Sequence, residues 1–368
     1  MRTDPRRRRA AGAGAVVAGR LKLRRGVVVS ADPLEVEVGG ERRRAWADEV
    51  LLGEMREGDE VVVNVAALDL GLGSGGFDVV HVNLTRGLDG SGVGGDAHVM
   101  KLNYTSLQHP VDPTERQGIR LFLSGPEQRE GTGERGGGVS VVVLPLHGHL
   151  APTAWALARA APGSRVGYVQ TAGGALPGSF SRDVRELRER GLLAGHVTAG
   201  PAYGGDREAL SVVGALDAAA ELGWDAVLAG PGPGIIGSDT AFGHGGMAAL
   251  ETAHAALSLR LPALVSPRLS SADPRKRHLG LSHHTRTVLA LLLAPVDVAV
   301  PAGEPEIAEE LESSEHRVLA APADLDGYGA SGLPTTTMGR SLTEDPLFFA
   351  APLAAGAVLA RSLAGQGL

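Results

Sequence analysis

The hydrophobic pattern changes character partway along the chain. From Val16 to about Leu84, short valine-rich runs alternate with turn signals such as Asp32-Pro33 and Gly39-Gly40, a pattern typical of short strands. Strands this short and this closely spaced favour a small barrel. The predicted strands of this barrel are Leu21–Ser30, Leu34–Val38, Arg42–Ala47, Val61–Val65 and Phe77–Leu84.

From Val139 onward, strand-like and helix-like patterns alternate. Val139–Leu144 is a continuous apolar run, as expected for a strand that is buried on both faces. The alternation predicts right-handed crossovers and a doubly wound, mostly parallel α/β sheet. The predicted strands are Val139–Leu144, Arg165–Gln170, His196–Ala199, Asp225–Ala229, Ala263–Ser266 and Val296–Val300. The predicted helices are Thr153–Ala161, Arg182–Arg190, Arg207–Leu222, Met247–Leu259, Thr285–Leu293 and Phe348–Ala360.

These patterns predict three segments. Residues 1–86 comprise a basic tail and the small β-barrel-like domain, and residues 139–368 form the α/β ligand-binding domain. Residues 87–138 form a connector in which Val99–Tyr104 is expected to pair with Ile119–Leu123. Within the connector, the glycine-rich stretch Gly131–Gly138 is expected to act as a hinge.

Composition narrows the possible functions. The absence of cysteine excludes disulfides, thiolate metal sites and a cysteine nucleophile. A net charge of −7 argues against a nucleic-acid partner, although the arginines at Arg6–Arg9 leave open a tail that touches RNA or DNA. Met1–Arg25 lacks an apolar core and Phe348–Ala360 is too short to span a bilayer. We therefore expect a cytoplasmic protein with no membrane partner.

Glycine and polar residues follow the predicted strands of the α/β domain, where ligands bind in open parallel sheets. Gly232, Gly234 and Gly237 have the spacing of a dinucleotide-binding turn. A proline between the first two glycines removes a backbone donor and favours a general anion-binding loop, in which Ser238 and Thr240 supply hydroxyl donors. The alternative is a tight turn with a purely structural role.

The loop from Arg268 to Thr285 is dense in ionisable groups. Arg275 and Arg277 are candidate ligands for a phosphate or carboxylate, which arginine binds through two parallel hydrogen bonds. Histidine transfers protons near neutral pH or binds metals. The candidate acids, bases and orienting carboxylates are His278, His283, His284, Asp206 and Asp273. In the alternative interpretation, the loop is solvated and Ser282 caps the following helix.

A second candidate site lies at the end of the first α/β strand. His147 and His149 are two residues apart, and in an extended backbone their side chains point the same way. This is the geometry of a two-histidine metal half-site, which Asp206, Asp239 or Asp273 would complete. The alternative is a pair of ordinary loop histidines, and the sequence identifies no cofactor.

The stretch Arg277–Thr285 reads Arg-His-x-Gly-Leu-Ser-His-His-Thr. Here the chain resembles an uncharacterised bacterial family known only as a domain of unknown function. It departs from that family's pattern at Asp239, where glycine is expected, and at Gly148, where serine is expected. The resemblance implies the fold and the set of loops, and it transfers no catalytic role. Further resembling stretches are Asp69–Phe77, Met100–Gln108, Tyr168–Pro177, Ala199–Glu208, Gly230–Gly243 and Thr337–Phe349.

Together these features predict an α/β protein that binds a small anionic or phosphorylated ligand at the carboxyl ends of its strands. Acid–base catalysis by the histidine, arginine and aspartate residues would make it an enzyme, with Thr335–Arg340 as a candidate lid. One alternative is a non-catalytic ligand sensor or assembly module. Another is a homo-oligomer in which the glycine-rich loops pack across a subunit interface.

Overall fold

The structure is a computed structural model, and it describes residues 20–72, 75–88, 97–115, 139–238 and 240–365. The chain divides into two compact units, Met1–Gly90 and Ser91–Leu368. Several positions named above lie outside the described residues: Arg6–Arg9, Ile119–Leu123, Gly131–Gly138 and Asp239.

The first unit contains a closed five-stranded barrel. Its elements are β1 (Leu23–Ala31), β2 (Leu34–Val38), β3 (Glu41–Trp46), α1 (Glu49–Leu52), β4 (Glu60–Asn64), α2 (Ala66–Asp69) and β5 (Asp78–Asn83). The strands follow the order β1-β2-β3-β5-β4, with β1 and β4 closing the barrel and β3 parallel to β5. This closed sheet of five short strands confirms the predicted barrel.

Valine side chains fill the barrel interior. Val28, Val36, Val61, Val63 and Val80 are all nearly inaccessible to solvent and form one cluster. β-branched residues suit this role because they pack well on a pleated, half-buried surface. The strands were predictable because these valines lie in short valine-rich runs separated by turn signals.

The second unit opens with a short hairpin, β6 (Val99–Lys101) and β7 (His109–Val111). Strand β6 pairs with β7, and the predicted pairing of Val99–Tyr104 with Ile119–Leu123 stays a prediction because Ile119–Leu123 lies outside the described residues. The chain leaves the strand early because Leu102 takes a left-handed conformation, with a φ of 48°. The backbone therefore reverses before the predicted strand is complete.

The second unit is built on an eight-stranded parallel sheet. Its strands are β8 (Ser140–Val143), β9 (Val166–Thr171), β10 (Gly195–Ala199), β11 (Arg207–Ala209), β12 (Ala226–Pro231), β13 (Ala263–Val265), β16 (Asp297–Pro301) and β17 (Arg317–Ala321). Two short hairpins lie outside it: β14 (Leu269–Ser270) with β15 (Gly280–Leu281), and β18 (Thr336–Thr337) with β19 (Arg340–Ser341). The sheet order is β11-β10-β9-β12-β8-β13-β16-β17. The predicted α/β sheet is thus confirmed.

Helices cover both faces of this sheet. They are α3 (Leu150–Ala160), α4 (Arg182–Glu189), α5 (Val212–Ala218), α6 (Ala248–Ser258), α7 (His283–Leu291), α8 (Pro305–Glu312), α9 (Leu325–Gly329) and α10 (Pro346–Leu363). In β8, Val141 and Val143 belong to the cluster that includes residues of α5, α6, α7 and α8. Val142 belongs to the cluster with α3, α4, α9 and α10. This two-sided burial explains the continuous apolar run in β8.

The predicted helix Arg207–Leu222 is wrong at its start. Arg207–Ala209 instead forms the edge strand β11, parallel to β10. Helix α5 begins only after Ser211, whose hydroxyl accepts a hydrogen bond from the Gly214 amide at 2.9 Å. Serine is a preferred N-cap because it satisfies an amide that the helix leaves unpaired.

The long apolar helix α10 is a core element. The sequence predicts Phe348–Ala360, and the helix extends to Pro346–Leu363. Its mean hydropathy of 1.5 and its length would suit a membrane span, but 67% of the segment is buried inside the protein. The helix packs on α3 and on β16. Its apolar character is therefore accounted for by the core of the second unit.

Sheet order determines where the loops converge. β12, β8 and β13 are neighbours at the centre of the sheet, although they are far apart in the sequence. The strand order changes direction around them, and such a point is where open α/β sheets bind ligands. The loops that follow these three strands therefore lie side by side at the carboxyl edge.

Close packing of glycine against tryptophan gives a test of this fold. A Cβ atom at Gly167 in β9 would overlap the ring of Trp224, so we expect Gly167→Ala to lower the free energy of unfolding by about 1–3 kcal/mol. Gly329 has open space around its Cβ position and an exposed site at the end of α9, so Gly329→Ala is the control. Chemical denaturation of both variants measures the difference, and equal stability would contradict the described packing.

Candidate functional site

A cavity of about 440 Å³ lies at the carboxyl edge of the three central strands. Loops after β8, β12 and β13 form most of its wall, and the turn between β18 and β19 completes it. Its lining residues are Leu146, His147, Gly148, residues 233–238, Arg268, Arg275, Arg277, His278, His284, Thr337 and Met338. The predicted location of the site, beyond the strand ends, is thus where the structure has a cavity.

A buried carboxylate organises the arginines beside this cavity. Asp273 has only 1% of its surface exposed, and it lies 2.8 Å from Nη2 of Arg275 and 3.3 Å from Nη2 of Arg268. Arg340 approaches the same carboxylate at 3.7 Å. Burial opposes the negative charge, but hydrogen bonds from Arg275 outweigh it and hold the pKa of Asp273 below its ordinary value. Asp273 is therefore ionised and fixes the loop.

Arginine residues contribute to the cavity wall. Arg268, Arg275 and Arg277 line the cavity, whereas none of the carboxylates that the structure describes is among its lining residues. Arg268 is 6% exposed, and burial lowers the pKa of its guanidinium to about 10, so it remains charged at neutral pH. Guanidinium groups at the wall of a cavity favour an anion as ligand, because they bind carboxylate and phosphate through charge-assisted hydrogen bonds.

Four histidine rings form a cluster beside the arginines. Ring centres are 4.8 Å apart for His278 and His283 and 4.4 Å apart for His283 and His284. His244 stacks on His284 at 3.6 Å. The Ser282 hydroxyl accepts a hydrogen bond from the His284 amide at 3.2 Å and lies 2.7 Å from Nδ1 of His278. Ser282 thus caps α7, as predicted, and also orients a histidine.

These four rings are neutral at physiological pH. Burial lowers the pKa of each, that of His278 to about 3, and the positive charge of Arg268 lowers them further. In His244, Nε2 donates to the Ala241 carbonyl at 3.0 Å, which leaves Nδ1 as an acceptor. Nδ1 of His244 and Nε2 of His283 are buried without a hydrogen-bond partner in the described part of the chain.

Of the two predicted orienting carboxylates, Asp206 lies away from the histidine cluster and Asp273 lies beside it. Asp206 is 46% exposed at its side chain and binds Arg188 at 2.9 Å and the His196 amide at 3.0 Å. It contacts none of the histidines in the cluster, because the loop after β10 lies towards the sheet edge. Asp273 is beside the cluster but binds arginines. Instead of the two carboxylates, Ser282 and Arg268 orient the cluster: Ser282 forms a hydrogen bond with His278, and Arg268 donates one to His284.

The glycine-rich loop after β12 only partly fits its predicted role. Gly234 and Gly237 line the cavity. Gly232 serves packing, because a Cβ there would overlap the Ala175 carbonyl of the loop after β9. The loop does not lead directly into a helix, since α6 begins only at Ala248. The helix N-terminus that a dinucleotide-binding turn requires is therefore absent after this loop.

The hydroxyl groups of Ser238 and Thr240 form hydrogen bonds with other residues of the same loop. The oxygens of Ser238 and Thr240 are 2.8 Å apart. Ser238 donates to the Gly243 carbonyl at 3.1 Å, and Thr240 accepts from the Gly243 amide at 3.0 Å. These bonds fix the shape of the loop. The predicted role of the two hydroxyls as ligand donors would require that they exchange partners.

The proposed metal half-site at His147 and His149 rests on an extended backbone, and that expectation is wrong. The two residues begin and end a 3₁₀ turn that leads into α3. His147 Nε2 lies 2.7 Å from the Ser181 hydroxyl, whereas His149 Nδ1 lies 2.9 Å from the Ser266 hydroxyl. The rings therefore have separate partners, and only His147 lines the cavity.

Sequence reasoning does not single out His244, and it includes Met338 and Arg340 only as part of the candidate lid Thr335–Arg340. His244 follows a glycine-rich loop and directly precedes a helix, which is a signal that could have found it. Met338 Sδ lies 3.7 Å from Nη2 of Arg268. This contact joins residues 70 positions apart, so no local pattern reveals it.

Removal of the buried carboxylate tests the arginine arrangement. We expect Asp273→Asn to lower the free energy of unfolding by about 3–5 kcal/mol, because Arg268 would lose its buried ionic partner. The exposed Arg286–Glu310 pair is the control, and Glu310→Gln should cost about 1 kcal/mol or less. Urea denaturation compares the variants, and a small effect at Asp273 would contradict its assigned role.

The chain matches a described family over most of its length. Residues 44–356 match the family model described as "Protein of unknown function (DUF3866)". The match includes the whole parallel sheet and every loop that lines the cavity. No curated protein and no solved structure matches the chain. The chain therefore belongs to the DUF3866 family of proteins of unknown function.

Proposed function

We propose that the second unit binds a small anionic or phosphorylated ligand in the cavity at the centre of the sheet. The observation that carries this proposal is the set of three arginines at its wall. Arg268, Arg275 and Arg277 line the cavity, and the buried carboxylate of Asp273 holds Arg268 and Arg275 in place. Arginine binds phosphate and carboxylate through paired, charge-assisted hydrogen bonds.

The shape of the cavity supports a small molecule as ligand. A volume of about 440 Å³ lies in the range of pockets that hold metabolites and cofactors, roughly 300–1,000 Å³. Ile235, Ile236 and Met338 supply an apolar portion of the wall. We infer a ligand that combines an anionic group, bound by arginine, with a less polar body.

The surface of the barrel argues against nucleic acid as a partner of the first unit. Strands β2 and β3 place Glu35 opposite Arg44 and Glu37 opposite Arg42. Opposite charges therefore face one another on this sheet, whereas a nucleic-acid site needs a continuous basic surface. Lys22, Arg42 and Arg43 form ion pairs within the barrel.

We propose acid–base chemistry at the same cavity. His278 and His284 both line it and are neutral. Nη1 of Arg268 donates to Nδ1 of His284 at 3.2 Å, which assigns the proton of the neutral ring to Nε2. His284 is therefore a donor towards a ligand, and a neutral His278 is the candidate acceptor.

We propose a cytoplasmic, bacterial location for the protein. The sequence contains no cysteine, so the stability of the folded protein does not depend on disulfides or on the oxidising compartment in which they form. The long apolar helix α10 is largely buried in the core. Fractionation of the source cells tests this location, and recovery with the membranes would contradict it.

Anion binding is tested with inorganic phosphate and sulfate on protein dialysed against EDTA. A ligand at roughly 100 times its Kd stabilises the native state by about 2.7 kcal/mol, which thermal unfolding detects. We expect Arg277→Gln and Arg275→Gln to abolish the stabilisation. Arg56→Gln removes an exposed arginine of the barrel and should leave it intact. Equal stabilisation of all variants would contradict the site.

Turnover separates an enzyme from the alternative, a non-catalytic ligand sensor. Phosphorylated metabolites that stabilise the protein are incubated with it, and release of phosphate or change in mass is measured. We expect turnover that His284→Gln abolishes while binding persists. A ligand that is bound and returned unchanged would favour the sensor.

A further inference from the structure

Three of the clustered histidines have the spacing of a metal site. One nitrogen from each of His278, His283 and His284 lies within 4.8 Å of the other two. Tetrahedral zinc binds imidazole nitrogen at about 2.0–2.1 Å, which places donor atoms roughly 3.4 Å from one another. Small rotations of the side chains would bring the three nitrogens onto one ion.

The surroundings of these rings match what metal-binding histidine needs. Nδ1 of His278 is held by the Ser282 hydroxyl at 2.7 Å, which leaves Nε2 towards its neighbours. Such an outer partner fixes the ring and is usual for metal-binding histidine. Nε2 of His283 is buried and has no hydrogen-bond partner among the described residues. A buried nitrogen without a partner is costly, and a metal ion would satisfy it.

We propose that His278, His283 and His284 bind a divalent transition-metal ion such as Zn²⁺. In the metal-bound state His278 and His284 are ligands, and the donor and acceptor roles proposed above for these two residues belong to the metal-free state. Imidazole ligands suit zinc, copper, iron and nickel better than calcium or magnesium. Three protein ligands leave a coordination position open, as in catalytic zinc sites. This site is distinct from the half-site expected at His147 and His149.

The metal ion and the anion would bind together, a step that rests on the proposed function. Arg268, Arg275 and Arg277 make the neighbourhood positive, which opposes a dication on its own and favours one accompanied by an anion. Coupling between two ligands is reciprocal. An anion should therefore raise the affinity for the metal, and the metal should raise the affinity for the anion.

Arg268 provides a physical link between the two sites. Its Nη1 donates to Nδ1 of His284, and a neutral imidazole has only one nitrogen lone pair. A metal that binds Nδ1 of His284 takes this lone pair, and a metal that binds Nε2 moves the ring proton to Nδ1. In both cases the hydrogen bond from Arg268 to His284 is broken. The released N–H group would then be available to the anion in the cavity.

Cobalt absorption tests the site, because tetrahedral Co²⁺ with nitrogen ligands has visible bands. EDTA-treated protein is titrated with Co²⁺, with and without sulfate. We expect one ion per chain and tighter binding with sulfate. His283→Gln should weaken binding by more than the roughly 10- to 100-fold that follows loss of an outer partner. This variant removes no described hydrogen bond of the ring, so the fold should persist, as circular dichroism verifies.

His254→Gln is the matched control, since His254 lies on α6 and its Nε2 accepts from the Leu293 amide. It should bind Co²⁺ like the native protein. No binding by the native protein, or equal binding by His283→Gln, would overturn the metal site. Sulfate binding by the metal-free protein would still support the proposed function. Metal binding that sulfate leaves unchanged would overturn the coupling through Arg268.

Discussion

The buried carboxylate of Asp273 is the interaction on which the site depends. It is almost inaccessible to solvent and contacts Arg268 and Arg275. Burial of the carboxylate alone, or of a guanidinium group alone, would cost free energy. Together they fix the shape of the long loop between β13 and α7. That loop carries His278 and the three arginines of the cavity, so its shape determines what the cavity can bind.

The cavity combines two chemistries that suit one ligand. Its arginines favour an anion, and its neutral histidines favour proton transfer or a metal ion. Neutral rings persist there because burial and neighbouring guanidinium groups both disfavour the imidazolium form. The positive charge that excludes protons from the rings is thus the same charge that attracts the ligand. A metal ion at His278, His283 and His284 would join the two functions.

Most of the fold follows from local patterns, and the details of the site do not. The run Val139–Leu144 predicts a central strand because each face meets its own helical layer. The pattern at Arg207 predicts a helix, but Arg207–Ala209 forms a strand because pairing with β10 outweighs the local helix propensity. The side chains of His147 and His149 do not point to one common site, because the 3₁₀ turn that contains both residues directs each ring to a different serine hydroxyl. Contacts such as that of Arg340 with Asp273 join distant positions and leave no local signal.

Anomalous diffraction from crystals grown with selenate tests the central claim most directly. Selenate has the shape and charge of sulfate, and its selenium atom marks the position of the anion. The account predicts a strong peak in the cavity, within hydrogen-bond distance of the guanidinium groups of Arg275 and Arg277. A peak confined to other surfaces, with the cavity empty at saturating selenate, would contradict it.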